Sequence, residues 1–222
     1  MTPKLVLCNQ GSPQSASLDA RLLELLAARR TVGYIPASPD RERRFFSGFE
    51  RHYERLGIEL RFFGLEDEFR SDALPELLQL DAIHLSGGNT FRFLHWLRAR
   101  GLFAELQKYV TRGGVLIGVS AGAILMTRDI RSAAICGDAP YAAPSDPTPS
   151  DPTFSDPTLS DTAGLSLVDF TVLPHFDGSV AQRAELAHLG VELRNVAYGV
   201  PDGSGIVVDG SRVELFGDVT VA

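Results

Sequence analysis

The sequence predicts an α/β protein with a mostly parallel sheet, helices on both faces and a strand-rich C-terminal part. Three observations carry that expectation. Short apolar runs alternate with longer segments of helical periodicity from residue 4 to residue 127. Most of these segments stop at glycine or proline, as strands and crossover helices do where the chain turns. Beyond Leu165 the rhythm changes to several apolar runs interrupted by one helical stretch.

"KLVLC" (residues 4–8) reads as a first buried strand. "SLDARLLELLAARR" (17–30) has helical spacing, with Ser17 as a possible N-cap. "TVGYIP" (31–36) is a strand closed by proline, and the charged amphipathic stretch 40–57 is a helix ending at Gly57. "IELRFFG" (58–64) and "DAIHLSGG" (81–88) are strands. "NTFRFLHWLRARG" (89–101) and "LFAELQKYVTRGG" (102–114) are helices stopped by glycine. "VLIGVS" (115–120) is a strand and "AGAILMT" (121–127) starts a helix. Then come "LSLVDFTVLP" (165–174), a helix over 179–193, "VAYGVP" (196–201), "SGIVVDG" (204–210) and "RVELFGDVTVA" (212–222).

The 222 residues suit one domain spanning 1–222. A net charge of −7 argues against nucleic acid as a partner, because phosphate binding needs concentrated Lys and Arg. No apolar run approaches the roughly 20 residues of a membrane helix. The first residues read as a strand rather than a signal peptide. Cys8 and Cys136 give neither a disulfide framework nor metal-ligand spacing, which fits reduced thiols in a cytoplasmic protein. Residues 145–162 repeat Ser-Asp-Pro-Thr-X. Proline every fifth residue forbids a regular helix and disfavours a central strand. We expect an insertion that rests on the body of the protein or on a neighbouring subunit of a homo-oligomer.

"GVSAG" (118–122) separates two apolar runs. Two readings are open. The glycines let a helix pack closely on the sheet beside an inert serine, or they form the G-x-S-x-G elbow that exposes Ser120 as a nucleophile. In the second reading the Ala121 amide at the helix start faces a developing oxyanion. "SGGNT" (86–90) is another strand-to-helix turn, where Gly87 and Gly88 leave backbone amides free and Asn89 or Thr90 caps the helix. A serine nucleophile needs a base. His52, His95 and His188 lie in helical patterns, and His84 lies inside an apolar strand. His175 follows the strand-ending proline of "LPHFDGS" and is the best-placed base. Asp138, Asp169, Asp177 and Asp202 are the candidate acids that would hold its tautomer. An α/β-hydrolase esterase is a rival reading suggested by the elbow; its chain order is Ser, acid, His, which an acid after His175, such as Asp202, would not follow. A binding domain that kept the fold without the chemistry is a further reading.

"LSGGNTFRFLHWLRARGL", "GGVLIGVSAGAIL", "LPHFD" and "GVPDGSGIVV" together resemble the peptidase E (aspartyl dipeptidase) and cyanophycinase family of serine peptidases, in the family's order and over nearly the whole chain. The resemblance implies a fold akin to class I glutamine amidotransferases, with Ser120 in the place of their cysteine. It implies Ser120 as nucleophile, His175 as base, and Gly88 and Ala121 as oxyanion donors. Asp202 stands where peptidase E carries a glutamate. Asp138 is the nearest match to an aspartate that is important in peptidase E. Arg183, on the helix after His175, is the candidate cation for a substrate carboxylate, and Asn89 and Thr90 are candidate substrate contacts. The resemblance implies acyl transfer from short peptides cut near a terminus, N-terminal aspartyl dipeptides among them. A carboxypeptidase-like or broader specificity is the alternative. No cofactor or metal is expected.

Overall fold

The computed structural model describes residues 2–9, 16–141 and 162–222. Five parallel strands form its centre: β1 (Lys4–Cys8), β2 (Thr31–Ile35), β3 (Glu59–Phe62), β4 (Ala82–Leu85) and β5 (Val115–Val119), in the spatial order β3-β2-β4-β5-β1. Helices α1 (Ala16–Leu26), α2 (Arg44–Arg55), α3 (Leu74–Leu77), α4 (Thr90–Ala99), α5 (Leu102–Thr111), α6 (Ala121–Leu125) and α7 (Ser132–Ile135) punctuate and follow these strands. Period-two alternation sends strand side chains to both faces. Leu5, Leu7, Ile83, Leu85 and Leu116 pack with Phe93, Leu106 and Ile124 from α4, α5 and α6. Val6, Ala82, Val115 and Ile117 pack with Leu22 and Leu26 of α1 and with Phe46 and Tyr53 of α2. The sheet is thus buried on both faces, as a parallel sheet must be.

The remaining chain adds β6 (Phe170–Pro174), α8 (Val180–Leu193), β7 (Val196–Val200), β8 (Gly205–Asp209), β9 (Arg212–Phe216) and β10 (Thr220–Val221). β8 joins the central sheet antiparallel to β1, and β9 pairs antiparallel with β8. The strand-rich C-terminal part does not all extend that sheet. β6, β7 and β10 form a second, three-stranded sheet in the order β10-β7-β6. Phe170, Val172 and Val200 of the second sheet share one buried cluster with α6. Among the described residues no helix is long and apolar enough to cross a membrane.

Several boundaries differ from expectation, each for a local reason. α1 begins at Ala16, so Ser17 lies inside its first turn, and the helix stops at Leu26 where Ala27 turns left-handed at φ 54°. α2 begins at Arg44 rather than Asp40, and the Asp40 carboxylate lies ahead of it, accepting the amides of Arg44 at 2.8 Å and Phe46 at 2.9 Å. Residues 165–167 are not strand, because their amides satisfy the carbonyls of Leu125, Thr127 and Met126 at the end of α6. Gly217, at φ 77°, separates β9 from β10 where one run was expected. The short helices α3 and α7 had no periodic signal. Apart from Thr162, the Ser-Asp-Pro-Thr repeat lies outside the described residues.

Candidate active site

Strand register brings four chain segments to one edge. Leu85 pairs with Gly118, and Cys8 pairs with Val119 and, antiparallel, with Gly205. Ser86–Gly88, Ser120, Asn9 and the turn before Gly205 therefore all leave the sheet at the carboxyl edge of the parallel strands, where α/β proteins place their chemistry. In the second sheet Pro174 pairs with Val200, so His175 and Pro201 step off a common edge.

Ser120 lies between β5 and α6 with φ 49° and ψ −105°, a conformation that strains a residue bearing a side chain. Its backbone holds it there. The Ser120 amide donates to the Cys8 carbonyl at 2.9 Å, and its carbonyl accepts the amides of Ala123 at 2.9 Å and Ile124 at 3.0 Å. A Cβ on Gly118 would lie 2.5 Å from the Gly122 carbonyl carbon, and one on Gly122 would overlap the Leu85 carbonyl oxygen. The two glycines thus permit the close approach of helix to sheet that turns the serine outward. The packing and nucleophile readings of the pentapeptide describe the same geometry.

The Ser120 hydroxyl lies 3.0 Å from His175 Nε2, and His175 Nδ1 lies 3.2 Å from Asp202 Oδ1. This is the arrangement in which Nδ1–H donates to the carboxylate and Nε2 accepts the serine proton. His175 itself stands at φ 56°, directly after β6. The other acids are engaged elsewhere. Asp138 accepts the Thr90 amide at 2.8 Å, Asp169 pairs with Arg128 at 2.5 Å, and Asp177 accepts the Ser179 amide at 2.8 Å. That last bond, ahead of α8, holds the Asp177 carboxyl below the usual range. Burial pushes the Cys136 thiol up to about 12, so it stays protonated beside the Pro174 carbonyl it contacts.

Gly88 has φ 143°, and a Cβ there would lie 2.8 Å from Ala37 Cβ. Ser86 fixes this turn. Its hydroxyl accepts the Ala37 amide at 2.8 Å and donates to the Gly87 carbonyl at 2.9 Å, while its carbonyl accepts the Gly122 amide at 3.2 Å. The glycine turn and the serine turn are therefore tied directly. Among the described residues the Gly88 and Ala121 amides have no acceptor, which leaves them free to donate outward.

The expected substrate contacts are placed differently from one another. Asn89 caps α4, accepting from the Arg92 amide at 2.8 Å, and donates to the Ala139 carbonyl at 2.7 Å. Asn89, Thr90 and Asp138 thus meet at one helix start and hold the chain after α7 against it. Arg183 is on the exposed face of α8, with Nε 2.9 Å from the Gly178 carbonyl. Sequence reasoning missed Asn9, which is fully buried and whose Nδ2 lies 2.6 Å from Asp202 Oδ1. Its signal was its place directly after a strand at the functional edge.

A cavity of about 160 Å³ opens beside Gly88, walled by Tyr34, Pro36, Ala37, Phe45 and Phe49, with Asp40 in its lining. A larger one, about 480 Å³, lies toward β3 among Arg43, Arg61, Phe62 and Phe69, and none of Ser120, His175, Asp202 and Gly88 lines it. Among the described residues no group of three or more His, Cys, Asp and Glu side chains could hold a metal ion.

The sequence profile of peptidase family S51 matches residues 5–216. An uncharacterized peptidase of Listeria monocytogenes is 26% identical over 190 residues, covering 83% of this chain and 84% of its own. Peptidase E of Shigella flexneri is 29% identical, covering 97% of this chain and 90% of its own. Among solved structures, a Listeria monocytogenes crystal structure named for peptidase E superposes with a TM-score of 0.69 at 22% identity, covering 97% of this chain and 98% of that one. A peptidase from an acI-B1 Actinobacterium gives a TM-score of 0.63 at 18% identity, covering 100% of this chain and 90% of that one.

Proposed function

The chain belongs to peptidase family S51 and is a serine-type peptidase, and from that premise we propose that it hydrolyses short peptides through Ser120, His175 and Asp202. His175 Nε2 takes the hydroxyl proton as Ser120 Oγ attacks the peptide carbonyl, and Asp202 stabilises the imidazolium. The Gly88 and Ala121 amides receive the oxyanion. His175 then protonates the leaving amine, and water, deprotonated by the same imidazole, releases the acyl group. The observation that carries this reading is the continuous contact from Ser120 Oγ through the His175 ring to Asp202. A fluorophosphonate probe tests it. Ser120 is labelled in the wild type, and Ser120→Ala neither labels nor hydrolyses peptides. Peptide hydrolysis at the wild-type rate by that variant would sink the mechanism.

The cavity beside Gly88 supports the broader short-peptide specificity over a preference for aspartyl peptides. Three aromatic rings, Tyr34, Phe45 and Phe49, stand among its ten lining residues, and none of the ten is Lys or Arg. Asp40, 6% exposed, adds a carboxylate to the wall. A second carboxylate within a few ångströms meets repulsion of about 1–4 kcal/mol, depending on local polarity. We therefore place an apolar or aromatic substrate side chain there. Phe45, 62% exposed, is the wall residue whose loss costs the fold least. Phe45→Ala raises KM several-fold for peptides with an aromatic residue on the acyl side and leaves alanyl peptides unaffected. Equal effects on both series would remove the cavity from the specificity account.

A further inference from the structure

We propose that Asn9 is a positioning residue for the acid of the site, its side-chain amide holding the Asp202 carboxylate against His175. This rests on the Ser120–His175–Asp202 reading and adds a fourth residue to it. Asn9 follows β1 and is fully buried. Its Nδ2 donates to Asp202 Oδ1 at 2.6 Å, the same oxygen that lies 3.2 Å from His175 Nδ1. Nδ2 also lies 3.4 Å from the Val200 carbonyl, and both neighbours only accept, so the nitrogen rather than the oxygen of the amide faces them. The Asn9 backbone amide donates to the Ser204 carbonyl at 3.3 Å. Asn9 therefore grips the Asp202 turn on both sides.

The grip matters because the Asp202 side chain is 64% exposed. A carboxylate so open to water has other rotamers available, and only the observed one fixes the tautomer of His175. One residue earlier, the Cys8 carbonyl accepts the Ser120 amide at 2.9 Å. The end of β1 thus fixes the nucleophile through its backbone and the acid through a side chain.

The test compares Asn9→Ala and Asn9→Ser with wild type, Ser120→Ala and Asp202→Asn on one chromogenic short peptide, following kcat, KM and the pH dependence of kcat/KM. Asn9→Ala lowers kcat about tenfold to a hundredfold, the range for a hydrogen bond to a charged group, and leaves KM unchanged. Ser120 and Asp202 are the groups in hydrogen-bond contact with the His175 ring. Once Asp202 is loose, the imidazolium loses its fixed counter-charge and the acidic limb moves to lower pH. Asn9→Ser, which restores a donor, recovers part of both changes. Should Asn9→Ala not fold, Asn9→Leu keeps similar volume without a donor; kcat then falls and the limb moves to lower pH, as in Asn9→Ala. A folded variant with unchanged kcat, or with lowered kcat and an unmoved limb, overturns the proposal. Wild-type rates in Ser120→Ala or Asp202→Asn would instead overturn the underlying triad reading, and this proposal with it.

Discussion

Asp202 Oδ1 accepts from two directions, Asn9 and His175. In Asp202→Asn the new amide oxygen can occupy the Oδ1 place, since Asn9 rejects a nitrogen there. The tautomer of His175 then survives and only the charge is lost. We predict a fall in kcat that stops short of the roughly 10⁴-fold seen where the substituted amide imposes the wrong tautomer. Combining it with Asn9→Ala frees that amide to turn and brings the loss to this order; single-turnover kinetics on both variants would check the difference. Ser120 and His175 stood out as candidates because each follows a strand end marked by glycine or proline, whereas Asp202 was one of four candidate acids until the family resemblance singled it out. Asn9 did not stand out, because its partner lies 193 residues away and no spacing announces the pair.

At the scale of the element, the short helix α6 depends on its glycines more than on its length. It spans five residues, too few to be stable alone, and every one of them is buried. Gly122→Ala drives a methyl group into the Leu85 carbonyl. We predict a loss of about 1–3 kcal/mol in denaturant unfolding, the usual cost of overpacking, together with lower activity as the Ser86 turn shifts. The alternation of strands and helices through α6 could be read directly, because each element carries its own period. The split of the C-terminal strands into two sheets could not. β7 and β8 have similar apolar runs, and what sends them to different sheets is pairing with distant partners, β6 for one and β1 for the other.

For the whole molecule, the α1–α2 side of the sheet encloses a buried imidazole. His84 is fully buried, bonded through Nδ1 to the Tyr53 hydroxyl at 2.9 Å, with its ring 4.5 Å from Phe49 and 5.0 Å from Tyr34. Burial pulls its pKa down to about 3, from the 6.5 of an exposed imidazole. The unfolded chain therefore takes up a proton that the folded one refuses. The stability contributed by neutral His84 is fully present above pH 6.5 and is lost progressively as pH falls toward 3. We predict that the unfolding free energy declines by roughly 1 kcal/mol per pH unit between about pH 6 and 5, above the range of ordinary carboxylates. His84→Phe removes that slope, and equal slopes in both proteins would reassign it.

The order in which the working parts occur along the chain has a temporal consequence. During synthesis Ser120 leaves the ribosome 55 residues ahead of His175, and His175 leaves 27 ahead of Asp202. Asn9 emerges earlier than all of them, yet its contact waits for the last. β1, between β5 and β8, has its second neighbour only when Gly205–Asp209 arrives. Under the proposed mechanism, a nascent chain would carry an unarmed serine and gain hydrolytic power only when the closing strand docks. Peptide cleavage would then wait for a finished fold to contain it.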